Sequence, residues 1–269
     1  MHTPIIPPII ACSSRISTDA ATLIAFAENN GFHGIEYSIK SETKEDLAKE
    51  IANIVQLGKS NVEIRYHTPF QDLELAHSDV SKAKKSALFM KQCIDIAEDN
   101  GVEYITVHLG LGYRFALQTL NRDNAVKYLS DVSYYAQKKN VVICLENLTY
   151  GWTNNPDEMK NIVEETGVNV TIDIGHVAAS QIVVNNTMSA SEFIKILSNH
   201  ILGSHIYKIE IFDTDINQPV HIAPITKSDI STSVSELMTT RCNWWLVELG
   251  NKSDVIHTRN ILSEILSHT

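Results

Sequence analysis

Six short apolar segments of this chain end on a histidine or an acidic residue, and such side chains commonly bind divalent metal ions. The six terminal residues are His67, His108, Glu146, Asp173, His205 and Glu248. The chain contains 11 His and 32 Asp or Glu among 269 residues. Chance alone would therefore put one of these residue types at about one strand end in six. The pattern predicts one shared metal site and a metal-dependent enzyme.

The apolar segments alternate with helical patterns along the whole chain. Strands are predicted at residues 5–11, 34–39, 62–67, 104–109, 141–148, 169–174, 201–207 and 244–249. Helices are predicted at residues 18–30, 43–57, 79–100, 121–139, 155–167, 189–199, 228–240 and 253–267. Short apolar strands alternating with helices favour a closed (β/α)₈ TIM barrel. Without a linker or low-complexity tract, residues 1–269 are predicted to form a single domain.

The barrel would gather these strand ends at one place. All strands of a parallel barrel point the same way, and their carboxyl ends form the face that carries the active site. His176, three residues after Asp173, and His221, in the long loop after the seventh strand, would lie at the same face. That loop is predicted to contain no helix before about residue 228. Both histidines are therefore further candidate metal ligands.

The carboxylates in the apolar strands need partners. Burying an unpaired carboxylate is costly, so Glu146, Asp173 and Glu248 are expected to face a cation, most simply a divalent metal ion. Glu36 lies near the end of the second strand, in Gly-Ile-Glu-Tyr-Ser. Its alternatives are a contact to the substrate or to a metal ligand, and a salt bridge within the core.

Composition restricts the partners of the chain. The formal net charge of −10 argues against a large nucleic-acid surface. No apolar stretch approaches the roughly 18 residues that a membrane span needs. The four scattered cysteines fit reduced thiols in the cytoplasm. We expect a cytoplasmic enzyme with a small-molecule substrate, without a membrane and without nucleic acid; a homo-oligomer stays open.

Several of these residues stand in short motifs that resemble a known superfamily. Leu-Glu146-Asn, Asp173-x-x-His176, His205 and the Glu248 of Val-Glu-Leu-Gly are similar to the metal site of the xylose-isomerase-like barrels. That superfamily includes sugar and inositol isomerases or epimerases. It also includes the endonuclease IV class of AP endonucleases (AP endonuclease family 2). The resemblance covers nearly the whole predicted barrel.

The epimerase branch implies one divalent metal ion held by Glu146, Asp173, His205 and Glu248. Two of these carboxylates, Glu146 and Glu248, would then also accept and donate the substrate proton. His176 would contact substrate oxygens. All three are therefore candidate catalytic residues.

This chain departs from the ketose epimerases at two positions. Trp152 stands where they carry a substrate-binding Glu, and Ile211 stands where they carry an Arg. A ketose is therefore not the favoured substrate. Glu36, Trp152 and Lys208 are candidate substrate-binding residues. Substrate identity would also depend on loop side chains such as Tyr113 and Arg114.

The endonuclease branch implies three zinc ions. His67 and His108 would bind the first ion, and Glu146 would bridge it to the second. His176 and His221 would belong to the third.

The third site departs from the endonuclease pattern. Its expected Asp is Pro219 here, so the sequence predicts that this site lacks a charged ligand. The Asn-Asp-Ser run of that branch is replaced by Ile206-Tyr207-Lys208.

The sequence thus predicts an enzyme with one to three divalent ions per chain. Imidazole ligands favour Zn²⁺, Mn²⁺, Co²⁺ or Fe²⁺. Isomerisation or epimerisation of a small sugar, inositol or sugar phosphate, in carbohydrate metabolism, is the first hypothesis. Phosphoester hydrolysis is the second, and a binding barrel without catalysis is the third.

Overall fold

A computed structural model describes residues 7–41, 44–69, 73–110, 119–183 and 185–267. Ten strands lie in these ranges: β1 (Ile9–Ser13), β2 (Gly34–Ser38), β3 (Glu63–His67), β4 (Tyr104–Val107), β5 (Val142–Glu146), β6 (Asn169–Asp173), β7 (Ile201–Ile206), β8 (Ile209–Asp213), β9 (Gln218–Ile222) and β10 (Trp244–Val247). All except β8 and β9 form a closed parallel barrel, in which β1 pairs with β10. The predicted (β/α)₈ TIM barrel is confirmed.

Helices follow the barrel strands and cover their outer surface. The described ranges contain α1 (Ala20–Asn29), α2 (Lys44–Leu57), α3 (Val80–Asp99), α4 (Arg122–Gln137), α5 (Pro156–Thr166), α6 (Ile174–Val183), α7 (Ala190–Leu197), α8 (Ser231–Leu237) and α9 (Lys252–Ser267). Side chains fix several ends. The Asp19 carboxylate accepts from the Thr22 backbone N–H at the start of α1. Asn155 caps α5, which ends at Gly167 with φ 71°. The ends of α5 agree with the sequence signals, whereas α1 is capped by Asp19 and not by Thr18, the first residue of the predicted helix.

Two elements were not predicted. Helix α6 begins directly after β6, with no loop or turn residue to mark its start. Strands β8 and β9 form an antiparallel hairpin in the segment predicted to be a long loop without a helix. Pro219 within β9 weakens any strand prediction there, because proline lacks the N–H that a ladder uses. Both elements follow a barrel strand at its carboxyl end, so both bear on the site.

The first barrel strand begins and ends later in the chain than the sequence predicts. It was expected at residues 5–11, whereas β1 runs from Ile9 to Ser13. Residues 5 and 6 lie outside the described part of the chain, as do Thr43, Tyr113 and Arg114. The shift brings Arg15 close to the end of a barrel strand.

A buried arginine fills the amino-terminal end of the barrel. Arg65 precedes His67 by two residues, so both side chains lie on the inner face of β3. The Arg65 guanidinium lies 4.0 Å from the Tyr104 ring centroid and 4.4 Å from that of Trp244. It donates to the Asn243 side-chain oxygen at 3.1 Å. This layer supports the strands below the level of the predicted ligands.

The cysteines and the helix lengths agree with what the sequence predicts. Cys12, Cys93, Cys144 and Cys242 are free thiols and buried. No helix within the described ranges is long and apolar enough to cross a membrane. The cytoplasmic location stays a prediction.

Gly34 in β2 is expected to be required by the packing of Trp244. A Cβ at position 34 would lie 2.5 Å from the Trp244 ring and 2.9 Å from an Ile9 methyl. Overpacking of this kind typically destabilises by about 1–3 kcal/mol. Gly34→Ala should therefore lower the midpoint of thermal unfolding by several degrees. Gly250→Ala is the matched control, because its nearest contact would be 3.8 Å away. Equal midpoints in calorimetry would contradict this packing.

Candidate metal centre

A cavity of about 500 Å³ opens at the carboxyl end of the barrel. Six predicted ligands line it: His67, His108, Glu146, His176, His221 and Glu248. The other two, Asp173 and His205, lie beneath its floor and are fully buried. The fold therefore brings all eight predicted metal ligands to one place.

The side chains form three groups, each of which could hold a metal ion. Within each group the potential ligand atoms all lie within 4.8 Å of one another. The first group is His67, His108 and Glu146; the second is Glu146, Asp173, His205 and Glu248; the third is His176, Glu210 and His221. Glu146 belongs to two groups and so connects them.

The first group is built around one carboxylate oxygen. Oε2 of Glu146 lies 3.0 Å from Nε2 of His67 and 2.9 Å from Nε2 of His108. Nδ1 of His67 donates to the Thr68 carbonyl at 2.8 Å, which leaves Nε2 facing the carboxylate. Burial raises the pKa of Glu146, but His205 and His108 outweigh it and hold the pKa well below its usual range. His205 and His108 thus favour the ionised form of the Glu146 carboxylate.

The second group surrounds a nitrogen that lacks a partner. Nε2 of His205 donates to Glu36 at 2.9 Å. Its Nδ1 is buried and has no hydrogen bond within the described residues. That nitrogen lies 3.2 Å from Glu248 Oε2, 3.4 Å from Glu146 Oε1 and 3.8 Å from Asp173 Oδ2. A lone pair ringed by carboxylate oxygens suits a dication. Ligand atoms about 2.0–2.2 Å from one zinc ion are themselves roughly 3.3 Å apart.

Glu36 orients His205 and does not face the cavity. Its Oε1 accepts from His205, and its Oε2 accepts from Nε1 of Trp244 at 3.1 Å. The side chain is 2% exposed. Among its predicted alternatives, the structure places Glu36 in contact with a candidate metal ligand. Such partners fix which histidine nitrogen carries the proton.

The third group contains a carboxylate that the sequence did not reveal. Pro219 stands at the expected Asp position, but Glu210 in β8 pairs across the hairpin with His221 in β9. Oε2 of Glu210 lies 3.4 Å from His176 Nε2 and 3.6 Å from His221 Nε2. The expectation of a third site without a charged ligand is therefore wrong. The sequence signal was the alternation in Ile-Glu-Ile-Phe just after β7.

Backbone carbonyls fix the tautomers of the third group. Nδ1 of His176 donates to the Asn147 carbonyl at 2.8 Å, and Nδ1 of His221 donates to the Glu248 carbonyl at 2.7 Å. In each ring, Nε2 is therefore the nitrogen that faces Glu210. This is the arrangement that metal-binding histidines require.

Tyr207 connects the second and third groups. Its hydroxyl donates to Asp173 Oδ2 at 2.9 Å, and its ring stacks on His221 at 3.9 Å. A Cβ at Gly175 would lie 2.0 Å from this ring, so glycine is needed there. The other Asp173 oxygen accepts from the His176 backbone N–H at 2.7 Å at the start of α6. Asp173 and His176 are thus held together by the strand-to-helix junction.

Arg15 is a cavity residue that the sequence reasoning missed. Its Nε donates to Glu248 Oε1 at 3.0 Å, and its Nη2 lies 3.4 Å from His221 Nε2. Because the first strand was predicted to end at residue 11, Arg15 fell inside a loop of no assigned role.

Like Glu36, the other two predicted substrate-binding residues do not line the cavity. Trp152 packs beside Gly110, where an added Cβ would lie 3.4 Å from its ring. Lys208 pairs with Asp229 at 2.9 Å. Neither lines the cavity, so the structure offers no support for their predicted substrate contacts.

Comparison with known sequences finds a family whose model matches this chain and a relative in another organism. The family model described as a xylose isomerase-like TIM barrel matches residues 24–230. An uncharacterised protein of Methanocaldococcus jannaschii, MJ0008, is 27% identical over 208 residues, which cover 77% of this chain and 82% of that protein.

Comparison with solved structures finds the same barrel. A D-tagatose 3-epimerase-like protein has a TM-score of 0.74 at 22% identity and covers 97% of both chains. An L-ribulose 3-epimerase has a TM-score of 0.69 at 14% identity, covering 98% of this chain and 95% of its own. The IOLI protein with a binding zinc atom has a TM-score of 0.71 at 15% identity, covering 97% and 98%. At these identities the likeness establishes the fold.

Replacing Glu36 should weaken metal binding without removing a ligand. Glu36→Gln removes the charge that His205 donates to, and loss of such a partner typically lowers metal affinity about 10- to 100-fold. Zinc affinity, measured by competition with a chelator, should fall accordingly. The control is Glu103→Gln, an exposed position before β4. Equal zinc affinity in the two variants would contradict the role assigned to Glu36.

Proposed function

The chain belongs to the xylose isomerase-like TIM-barrel family, and from that premise we propose that it is a metal-dependent phosphoester hydrolase with a multinuclear centre. One observation carries the proposal: three ligand groups meet in one cavity, and Glu146 belongs to two of them. An isomerase-type site needs the second group alone.

Both oxygens of Glu146 are directed at histidines. Oε2 faces His67 and His108, while Oε1 lies 3.4 Å from both His176 Nδ1 and His205 Nδ1. A carboxylate placed in this way suits a bridge between two cations. A carboxylate that bridges two cations would be a weaker base, because both positive charges stabilise its ionised form.

The donor set indicates which ions would fit. Five histidines and four carboxylates make up the three groups. Such nitrogen-rich sites favour Zn²⁺, Mn²⁺, Co²⁺ or Fe²⁺ over Mg²⁺ and Ca²⁺. When bound, these ions would lower the pKa of water and offset the charge of a phosphate.

The reaction requires the chain to hold the phosphate beside the centre. A water oxygen forms the new bond to phosphorus, the ester P–O bond breaks, and the proton that the water loses ends on the leaving oxygen. His176 and His221, which line the cavity beside Glu210, would hold the centre in place during this exchange. The cavity, about 500 Å³, is within the usual range for small-molecule ligands. With a net charge of −10, we propose a small phosphorylated molecule as substrate and not nucleic acid.

Isomerisation or epimerisation of a small sugar, inositol or sugar phosphate is the second candidate. Its specific support is that the second group has the four ligands expected for a one-metal isomerase site. Two of the solved structures named above are also called a 3-epimerase or epimerase-like. Glu146 and Glu248 would then transfer the proton, and His176 would contact the substrate. The first and third groups, which a one-metal isomerase site does not use, favour hydrolysis instead.

A double variant separates the two candidates. His67→Ala with His108→Ala removes the first group and leaves the four ligands of the second. Hydrolysis of p-nitrophenyl phosphate by zinc- or manganese-loaded protein should fall by more than about 100-fold, because losing two direct ligands should cost more than the roughly 10- to 100-fold typical of losing a partner that only orients a ligand. An isomerase would keep its incorporation of solvent deuterium into a sugar phosphate.

The control for this experiment is a second double variant. His33→Ala with His200→Ala changes two histidines that precede β2 and β7, at the opposite end of the barrel. It should hydrolyse the phosphate like the unmodified protein. Full hydrolysis by the His67 and His108 variant would contradict the proposal. So would deuterium incorporation by the unmodified protein without any hydrolysis.

A further inference from the structure

Arg15 and Lys40 are the basic residues among those that line the cavity, and Arg15 is the one that contacts the candidate metal ligands. It follows β1, lines the cavity, and has a side chain that is 41% exposed. We propose that Arg15 binds the phosphate group of the substrate and so selects anionic substrates. This inference rests on the proposed function, since phosphate is the group that the enzyme would act on.

Two contacts anchor the Arg15 side chain, and several of its N–H groups stay available to bind a ligand. A guanidinium has five N–H donors. Nε is held by Glu248 Oε1 at 3.0 Å, and Nη2 contacts His221 Nε2 at 3.4 Å. Because that nitrogen would bind the third metal ion, at least three of the five donors stay available to a ligand in the cavity. Glu248 and His221 belong to different ligand groups, so Arg15 lies where those groups meet.

The charge of the loaded centre also favours an anion. The three groups contain four carboxylates: Glu146, Asp173, Glu210 and Glu248. Two divalent ions would balance these charges, and Arg15 would then make the cavity positive. One divalent ion would leave two of these negative charges, more than Arg15 alone offsets. The anion-binding role therefore depends on both Arg15 and a multinuclear centre.

Phosphate suits this position better than a carboxylate. Arginine binds phosphate through paired, charge-assisted hydrogen bonds. A phosphate monoester has three peripheral oxygens, so it can meet Arg15 with two of them and the metal centre with another. A carboxylate has only two oxygens and could not satisfy both in this way.

The experiment measures binding of inorganic phosphate to the zinc-loaded full-length chain by calorimetry, after free zinc has been removed. Arg15→Gln should bind phosphate roughly 10- to 100-fold more weakly, the loss expected for charge-assisted hydrogen bonds. Its zinc content should be unchanged. Arg15→Lys should be intermediate, because lysine keeps the charge but not the paired donors.

Arg241→Gln is the matched control. Arg241 precedes β10 at the opposite end of the barrel and donates to the Asn199 carbonyl. The Arg241→Gln variant loses the same charge as Arg15→Gln and should bind phosphate like the unmodified protein.

Equal phosphate affinity in Arg15→Gln and the control would overturn the inference. A loss of zinc along with phosphate would also overturn it, because Arg15 would then act only by positioning Glu248. Absence of phosphate binding by the unmodified loaded protein would be a third contradiction. Hydrolysis by the unmodified protein is scored separately, so the proposed function can fail or stand without deciding the role of Arg15.

Discussion

The close burial of carboxylates at the carboxyl end of the barrel is the constraint that shapes the rest of the site. Glu146, Asp173 and Glu248 are 1%, 0% and 7% exposed, and all three lie within 4.8 Å of a nitrogen of His205 in one group. Like charges this close in a buried site need cations. Around them the chain places histidines whose outer nitrogens are held by carbonyls or by Glu36, so that the inner nitrogens face the carboxylates.

Protons and metal ions would compete for this arrangement. Burial lowers the pKa of His176, yet Asp173 and Glu210 raise it to about 10. Burial raises the pKa of Asp173 to about 6. Both pKa shifts favour the protonated form, because the carboxylates at this end of the barrel concentrate negative charge. Metal binding requires deprotonated histidines, so ions would replace protons there.

Much of the site could be predicted from the sequence because a parallel barrel turns local patterns into proximity. The end of each strand can be recognised locally, and all the strand ends lie at one face of the barrel. The six strand-end ligands and the two histidines that follow strands were therefore predicted to lie together. Glu210 was not predicted because it approaches His221 only through the β8–β9 hairpin, and Pro219 weakens any strand prediction for β9. Arg15 was missed because the first strand was predicted to end at residue 11, although β1 continues to Ser13. Long-range pairing and strand ends are set by tertiary packing, which one sequence does not display.

The most direct test of the central claim is the number of metal ions per chain. Elemental analysis would compare the chain, purified without chelator and reloaded with zinc, with a Glu210→Gln variant treated in the same way. Three ligand groups predict three ions per chain, and one fewer in the variant, since Glu210 belongs only to the third group. A single ion in both proteins would contradict the multinuclear centre and leave the four ligands of an isomerase-type site.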